Sequence, residues 1–320
     1  MTTPSVLKKM RKTIILASPR GFCAGVDRAI KIVEVALEKF GRPAFGRHEI
    51  AHNKRVVKEL AAKGAVFVKE LDEVPSGSPV IFSAHGVAKA VHQTAQKLNM
   101  IAIDATCPLV TKVHIEANKH VRQGRHIFLI GHAGHPEVIG TMGQVEASEI
   151  TLIETVEDAS AVKPPEDCEL AFATQTTLSA DETAEIITVL QHRFPQIRGP
   201  KGEDICYATT NRQNAVKAMA KDVDLCLVIG AQNSSNSKRL VETALNAGIA
   251  KAELIADSNM LPYELIDDAA VIGLTAGASA PEILIDEELT ALSERYQIEV
   301  NTQNFITEKM QFKLPSMLTK

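Results

Sequence analysis

The stretch TIILASPRGFCAGVDRAIKIVEVALEKF, residues 13–40, decides the fold. A short apolar run over 14–17 enters a turn containing Pro19 and Gly21, and the turn ends at Cys23. Beyond Cys23 the pattern changes period. Ile30, Val33, Leu37 and Phe40 recur every three or four residues, the spacing of one helix face, and Gly41 supplies a stop. The order is strand, cysteine-bearing turn, helix. It returns twice: Cys107 ends IAIDATC ahead of PLVTKVHIEANKH, and Cys206 ends GEDIC ahead of YATTNRQNAVKAMA. The separations are 84 and 99 residues.

Working outward, apolar β-rich runs stand at 14–17, 79–83, 101–103, 127–131, 170–173, 225–230, 253–256 and 271–275, with amphipathic helical stretches between them. Ser179 and Glu182 form a capping pattern before one of these, marked by Ile186, Ile187, Leu190 and Phe194. Such alternation predicts parallel sheets covered by helices, with the strand-to-helix turns gathered at one edge. Two further sets of turns repeat. One reads HEIAHNKRVV, IGHAGHPEVIG and IGAQNSSNSKRLV; the other reads IFSAHGVAKAV, AFATQTTLSAD and GLTAGASAPEI. Their spacings track those of the cysteines. The sequence therefore predicts three homologous α/β units, each a small, mainly parallel sheet flanked by helices. The strands entering Cys107 and Cys206 finish the first and second units, and the strand entering Cys23 finishes the third, so that the chain closes as a pseudo-threefold ring. The expected boundaries are 24–107, 108–205 and 206–300 plus 1–23, with 301–320 as a tail outside the repeat.

Composition narrows the function. The 320 residues are 45% hydrophobic and 23% charged with a net charge of −4, which is ordinary for a soluble globular chain. No basic stretch suggests nucleic acid. No segment is long and apolar enough for a membrane span or a secretory leader, so the expected location is cytoplasmic. Five cysteines in a long chain argue against a disulfide framework.

A thiol just ahead of a helix meets free N–H groups and the positive end of a dipole, which favours the thiolate and metal binding. Three thiolates can hold three irons of a cubane cluster and leave the fourth open. The bland alternative is a small buried side chain, and zinc is the rival metal, although CxxC pairs are absent. Cys226, inside LCLVIG, reads as core, and Cys168 as a loop residue. At the other turns, NSSNS (233–237) and TAGAS (275–279) look like anion cradles, or simply helix caps. His52 and His85 are candidate protonated partners of phosphate oxygens, or structural histidines. In GHAGHPE, Pro136 suits the first helical position and Glu137 the first turn. Glu137 has no acidic counterpart in the sister turns, which points to a general acid.

Together, SPRGFCAGVDRAI, FSAHGV, DATCPLVTKVH, GHAGHPE, ATQTTLS, DICYATTNRQ, NSSNS and TAGASAPEI resemble the 4-hydroxy-3-methylbut-2-enyl diphosphate reductase (IspH, LytB) family over roughly residues 14–285. The resemblance implies a trefoil of three α/β domains around one [4Fe–4S] cluster held by Cys23, Cys107 and Cys206. It implies reductive dehydroxylation of the diphosphate to isopentenyl and dimethylallyl diphosphates, the last step of the non-mevalonate route, with ferredoxin or flavodoxin as electron donor. His52, His85, Ser234, Ser235, Asn236 and Ser279 would hold the diphosphate. His135, Glu137 and Thr176 would surround the substrate hydroxyl, with Thr177 in support. A monomer is expected. The rival classes are an iron–sulfur carrier or sensor, which needs no phosphate cradle, and an iron–sulfur hydro-lyase, which needs no external electrons.

Overall fold

The computed structural model describes residues 9–319. β1 (Arg11–Ser18) is followed by β2 (Ala44–Arg47), β3 (Ala65–Val68), β4 (Pro79–Phe82) and β5 (Ile101–Asp104). The last four make one sheet in the order β3-β2-β4-β5. β6 (Arg125–Ile130), β7 (Ile150–Ile153) and β8 (Glu169–Thr174) make a second, ordered β7-β6-β8. β9 (Leu225–Ile229), β10 (Lys251–Ile255), β11 (Val271–Ala276) and β12 (Gln297–Asn304) join β1 in a third, ordered β10-β9-β11-β1-β12. All the ladders between these strands are parallel. The protein is thus an α/β chain of three small parallel sheets flanked by helices.

The inner strands β4, β9 and β11 are short and almost wholly apolar because both faces are covered. In β9, Leu225, Leu227 and Ile229 enter one cluster with Ile14, Leu16 and Leu274, while Cys226 and Val228 enter another with Met219, Leu240 and Ala244. Successive side chains point to opposite faces, so one five-residue run serves two cores. Cys226 is fully buried in this strand, as expected. In the second sheet Phe128 and Ile130 pack with Phe172 and Leu190, while Ile127 and Leu129 pack with Val113, Ala117 and Val138.

The strand entering Cys107 does complete its sheet, with β5 paired to β4. The strand entering Cys23 completes the third, where Thr13 to Leu16 pair with Val271 to Leu274. The strand expected before Cys206 is absent. A single bridge between Ala171 and Arg198 marks where it would begin. Gly199 and Pro200 follow at once, and proline offers no N–H to carry a ladder onward. β2, β3, β7 and β12 carry none of the apolar runs read from the sequence. β12 is largely exposed and is held by its backbone pairing to β1.

Two compact units are distinguished. One holds the chain up to Phe22 with Asn211–Lys309, and so the third sheet; the other holds Cys23–Thr210 with Met310 onward, and so the first two. Among the described residues no helix is long and apolar enough to cross a membrane.

Candidate active site

The three cysteines belong to one unit. Cys23 is the N-cap of the helix Ala24–Phe40, and Cys107 is the N-cap of Pro108–Arg122, with Pro108 at the first helical position. Cys206 immediately precedes Tyr207–Met219, and its Sγ accepts the Thr209 N–H at 3.4 Å. Gly25 shows how close two of the thiols come. A Cβ there would lie 2.8 Å from Cys107 Sγ and 3.7 Å from Cys23 Sγ, so only glycine leaves the space between them open. Burial, reinforced by the neighbouring thiols, pushes Cys107 up to about 12 and Cys206 up to about 11. Such groups stay protonated in a bare protein and ionise when a cation arrives. Among the described residues no three His, Cys, Asp or Glu side chains are grouped to ligate a single metal ion. A cubane places its ligands on three different irons and so asks for a wider spacing. Half-buried thiols at helix starts, with a cleared space beside two of them, fit such a group. Cys168 lies apart in the loop before β8, its Sγ donating to Pro165 O at 3.3 Å.

The turns after β2, β4 and β6 bring three histidines together. The His52 and His85 rings stack with centroids 4.2 Å apart, and His135 stands edge-on to both at 6.0 and 5.8 Å. Asn53 Oδ1 accepts the Arg55 and Val56 N–H groups and caps the helix after His52, a contact worth about 1 kcal/mol. His85 Nδ1 meets Ser83 Oγ at 3.3 Å. The expectation of protonated rings meets an opposing effect. Burial lowers the affinity of His52 for a proton, and burial together with the other two rings takes His85 well below its usual range. Burial and His52 hold His135 at about 4. Burial therefore favours the neutral form of all three rings.

His135 caps the helix Pro136–Met142, its Nδ1 accepting the Glu137 N–H at 3.2 Å, so the proton of the neutral ring is assigned to Nε2. Glu137 is 2% exposed. Its carboxylate accepts two hydrogen bonds from one residue, from Thr176 N–H at 2.6 Å and from Thr176 Oγ1 at 2.9 Å. Burial raises Glu137 to about 7; the Thr176 bonds oppose the rise and the charge of Asp204 adds to it. The same Thr176 accepts the Cys206 N–H on its carbonyl at 3.0 Å. One residue thus links the acid to a cysteine. Thr177 is fixed by Gln175, whose Nε2 donates to Thr177 Oγ1 at 2.7 Å. The Glu137 helix is docked on the His85 turn: a Cβ at Gly140 would come within 3.2 Å of the Gly86 backbone, and Gln144 Nε2 donates to Val87 O at 2.8 Å. Cys107 is tied to that turn as well, its N–H donating to Ala84 O at 2.9 Å.

In the other unit the NSSNS and TAGAS loops meet. Asn236 Oδ1 accepts the Ala278 N–H at 2.8 Å. Ser234 caps the helix Ser235–Asn246 by accepting the Ser237 N–H, and Ser237 Oγ donates to Ser234 Oγ at 3.0 Å. Ser234, Asn236 and Ser279 are buried and Ser235 is half-buried. Capping is therefore part of what Ser234 does, beside any anion it meets.

The sequence reading passed over Asp204. It accepts the Thr174 N–H at 3.1 Å, pairs with Lys112 at 3.3 Å, and is raised by burial to about 6. An acid two residues ahead of a cysteine was the available signal. Arg28 and Arg212 were passed over too.

Residues 14–293 match the family model described as LytB protein. The chain belongs to the LytB family. Among family members, the 4-hydroxy-3-methylbut-2-enyl diphosphate reductase of Paracoccus denitrificans is 57% identical over 311 residues, covering 97% of this chain and 98% of that one. The solved E-1-hydroxy-2-methyl-but-2-enyl-4-diphosphate reductase of Plasmodium falciparum matches with a TM-score of 0.90 at 36% identity, covering 98% of this chain and 97% of that one. A further solved structure, described as (E)-4-hydroxy-3-methyl-but-2-enyl diphosphate reductase, the terminal enzyme of the non-mevalonate pathway, matches with a TM-score of 0.64 at 30% identity. It covers 88% of this LytB chain, which covers 99% of it.

Proposed function

We propose that this LytB protein is an oxidoreductase that reductively removes the hydroxyl of 4-hydroxy-3-methylbut-2-enyl diphosphate, giving isopentenyl and dimethylallyl diphosphates, as the last step of the non-mevalonate route. Cys23, Cys107 and Cys206 hold one [4Fe–4S] cluster. When bound, such a cluster relays electrons and offers a Lewis-acidic iron that has no protein ligand.

The protein's own residues manage the diphosphate and the proton. His52 and His85, neutral in the free protein, gain protons or offer N–H groups as the anion enters, because a nearby negative charge reverses the effect of burial. Ser234, Ser235, Asn236 and Ser279 bind the diphosphate by the likeness of their motifs. Glu137 carries a proton near neutral pH and delivers it to the departing hydroxyl, which leaves as water, while two electrons and a second proton taken up at either end of the allylic carbons complete the two products. Thr176 fixes both oxygens of that carboxyl, His135 Nε2–H orients the hydroxyl, and Thr177 supports the turn. The electrons come from a small redox protein of the ferredoxin or flavodoxin class.

One observation carries the reading. Thr176 holds Glu137 through its N–H and Oγ1 and holds Cys206 through its carbonyl, so the proton donor and a cluster ligand share one residue. The test is anaerobic reconstitution followed by an assay with and without reductant. Consumption of the diphosphate only with reductant supports the reading. Consumption without it would make the protein a hydro-lyase, and no consumption a carrier.

A further inference from the structure

Three cations stand in register with the three cysteines. Arg28 lies five residues after Cys23, Lys112 five after Cys107 and Arg212 six after Cys206, each in the helix that its cysteine precedes. Each reaches forward to the turn that ends at the next cysteine. Arg28 Nη1 donates to Ala105 O at 3.3 Å and Thr106 O at 3.0 Å, the two carbonyls before Cys107. Lys112 Nζ donates to Glu203 O at 3.1 Å and to the Asp204 carboxylate at 3.3 Å, just before Cys206. Arg212 donates to Gly21 O through Nε at 3.0 Å and Nη2 at 2.8 Å, and to Phe22 O at 3.1 Å, the two carbonyls before Cys23. The order 23 to 107 to 206 and back to 23 is closed.

We infer that Arg28, Lys112 and Arg212 are positioning residues, each locking the backbone turn that presents the next cluster-ligating thiol. The inference rests on the reading that the cysteines hold one cluster. Its physical basis is separate. A bond from a cation to a carbonyl is stronger than a neutral one, and a guanidinium can grip two successive carbonyls in one plane. Both arginines take the two carbonyls directly ahead of a cysteine, which fixes the dihedrals that aim its Sγ. Arg212 is 1% exposed, so it is not a solvated helix-face charge. Two of the cations also hold C-terminal segments: Arg28 Nε donates to Lys313 O at 2.8 Å, and Arg212 pairs with Glu308 at 3.1 Å. The charges of Arg28 and Lys112, in the same unit as the thiols, also favour the reduced, more negative cluster.

The experiment compares full-length wild type with Arg28→Gln, Arg28→Lys and Lys112→Met after anaerobic reconstitution. It records the melting temperature of the cluster-free chains, the EPR spectrum and midpoint potential of the reduced cluster, and the rate of iron loss to a chelator. The expected result is unchanged cluster-free melting, a lower potential and shifted g values for Arg28→Gln and Lys112→Met, and iron loss about tenfold faster. Arg28→Lys should restore the potential, which follows charge, more fully than the rate, which follows the two-carbonyl grip. Wild-type spectra, potentials and rates in Arg28→Gln and Lys112→Met would overturn the inference. So would a fall in cluster-free melting that accounts for the faster iron loss. A wild-type chain that takes up no cluster would overturn the cysteine assignment beneath it.

Discussion

Thr176 holds Glu137 at two points, its backbone N–H and its hydroxyl each donating to a different oxygen of the one carboxylate, at 2.6 and 2.9 Å. Both bonds favour the ionised acid, yet burial outweighs them and leaves Glu137 at about 7. A weaker hold or a drier site would give a carboxyl too basic to release its proton, and a tighter hold would strip the proton early. Glu137→Gln keeps shape and burial but has no proton to give. It should retain the cluster by iron content and spectrum while turnover falls about 100-fold or more, the usual contribution of a general acid. Near-normal turnover would remove Glu137 from that role.

The pH dependence has a definite sign. A general acid works in its protonated form, so kcat should fall as pH rises through about 7. Thr176→Val removes the hydroxyl donor but keeps the N–H. Loss of a bond to the ionised form raises the pKa, so the falling limb should move to higher pH even as the rate drops. A limb that stays in place or moves down would show that another group sets it.

The stacked histidines yield a binding prediction. Burial lowers the free-state proton affinity of both, the neighbouring rings lower that of His85 further, and an anion reverses these effects. Inorganic diphosphate should bind more tightly as pH falls below neutrality, with proton uptake measurable by calorimetry in buffers of different ionisation enthalpy. His85→Gln should raise KM more than it lowers kcat. Binding with no proton uptake would assign the charge compensation elsewhere.

Glu288 tests the electrostatics away from the site. Its side chain is 0% exposed, neither carboxylate oxygen has a hydrogen-bond partner, and burial raises it to about 7. A carboxyl raised in the folded state binds more protons there than in the unfolded chain. Stability should therefore decline as pH rises between about 4.5 and about 7, by an amount on the order of 3 kcal/mol. Glu288→Gln should melt higher than wild type at pH 8 and nearly the same at pH 5. Equal melting at both would show that water reaches the carboxylate.

Much of this was legible in the sequence because a strand covered on both faces must be apolar throughout. β9 and β11 could hardly read as anything else, and the cysteine that closes each turn stands where its helix begins. β12 was hidden for the converse reason: as an exposed edge strand it needs only backbone pairing, so QIEVNTQN carries no apolar run. The missing strand before Cys206 was an over-extension of the repeat, which Gly199 and Pro200 interrupt. Glu137 stands out in the sequence because its charge breaks the repeat. Arg28, Lys112 and Arg212 were overlooked because a cation on a helix ordinarily reads as a solvated face, and one extra residue after Cys206 blurs their register. The histidine stack was unreadable, since it depends on which turns converge.

The proposed cluster, held by Cys23, Cys107 and Cys206 with one iron free of protein ligands, has a direct spectroscopic test. Mössbauer spectroscopy of iron-57-reconstituted protein, for wild type and for Cys23→Ser, Cys107→Ser and Cys206→Ser, tests it most directly. The expected result is about four irons per wild-type chain with one spectroscopically distinct from the other three, a distinct signal that shifts when the diphosphate is added, and depleted or altered clusters in all three variants. A wild-type spectrum of equivalent irons, or any one variant with the full wild-type signal, would contradict it.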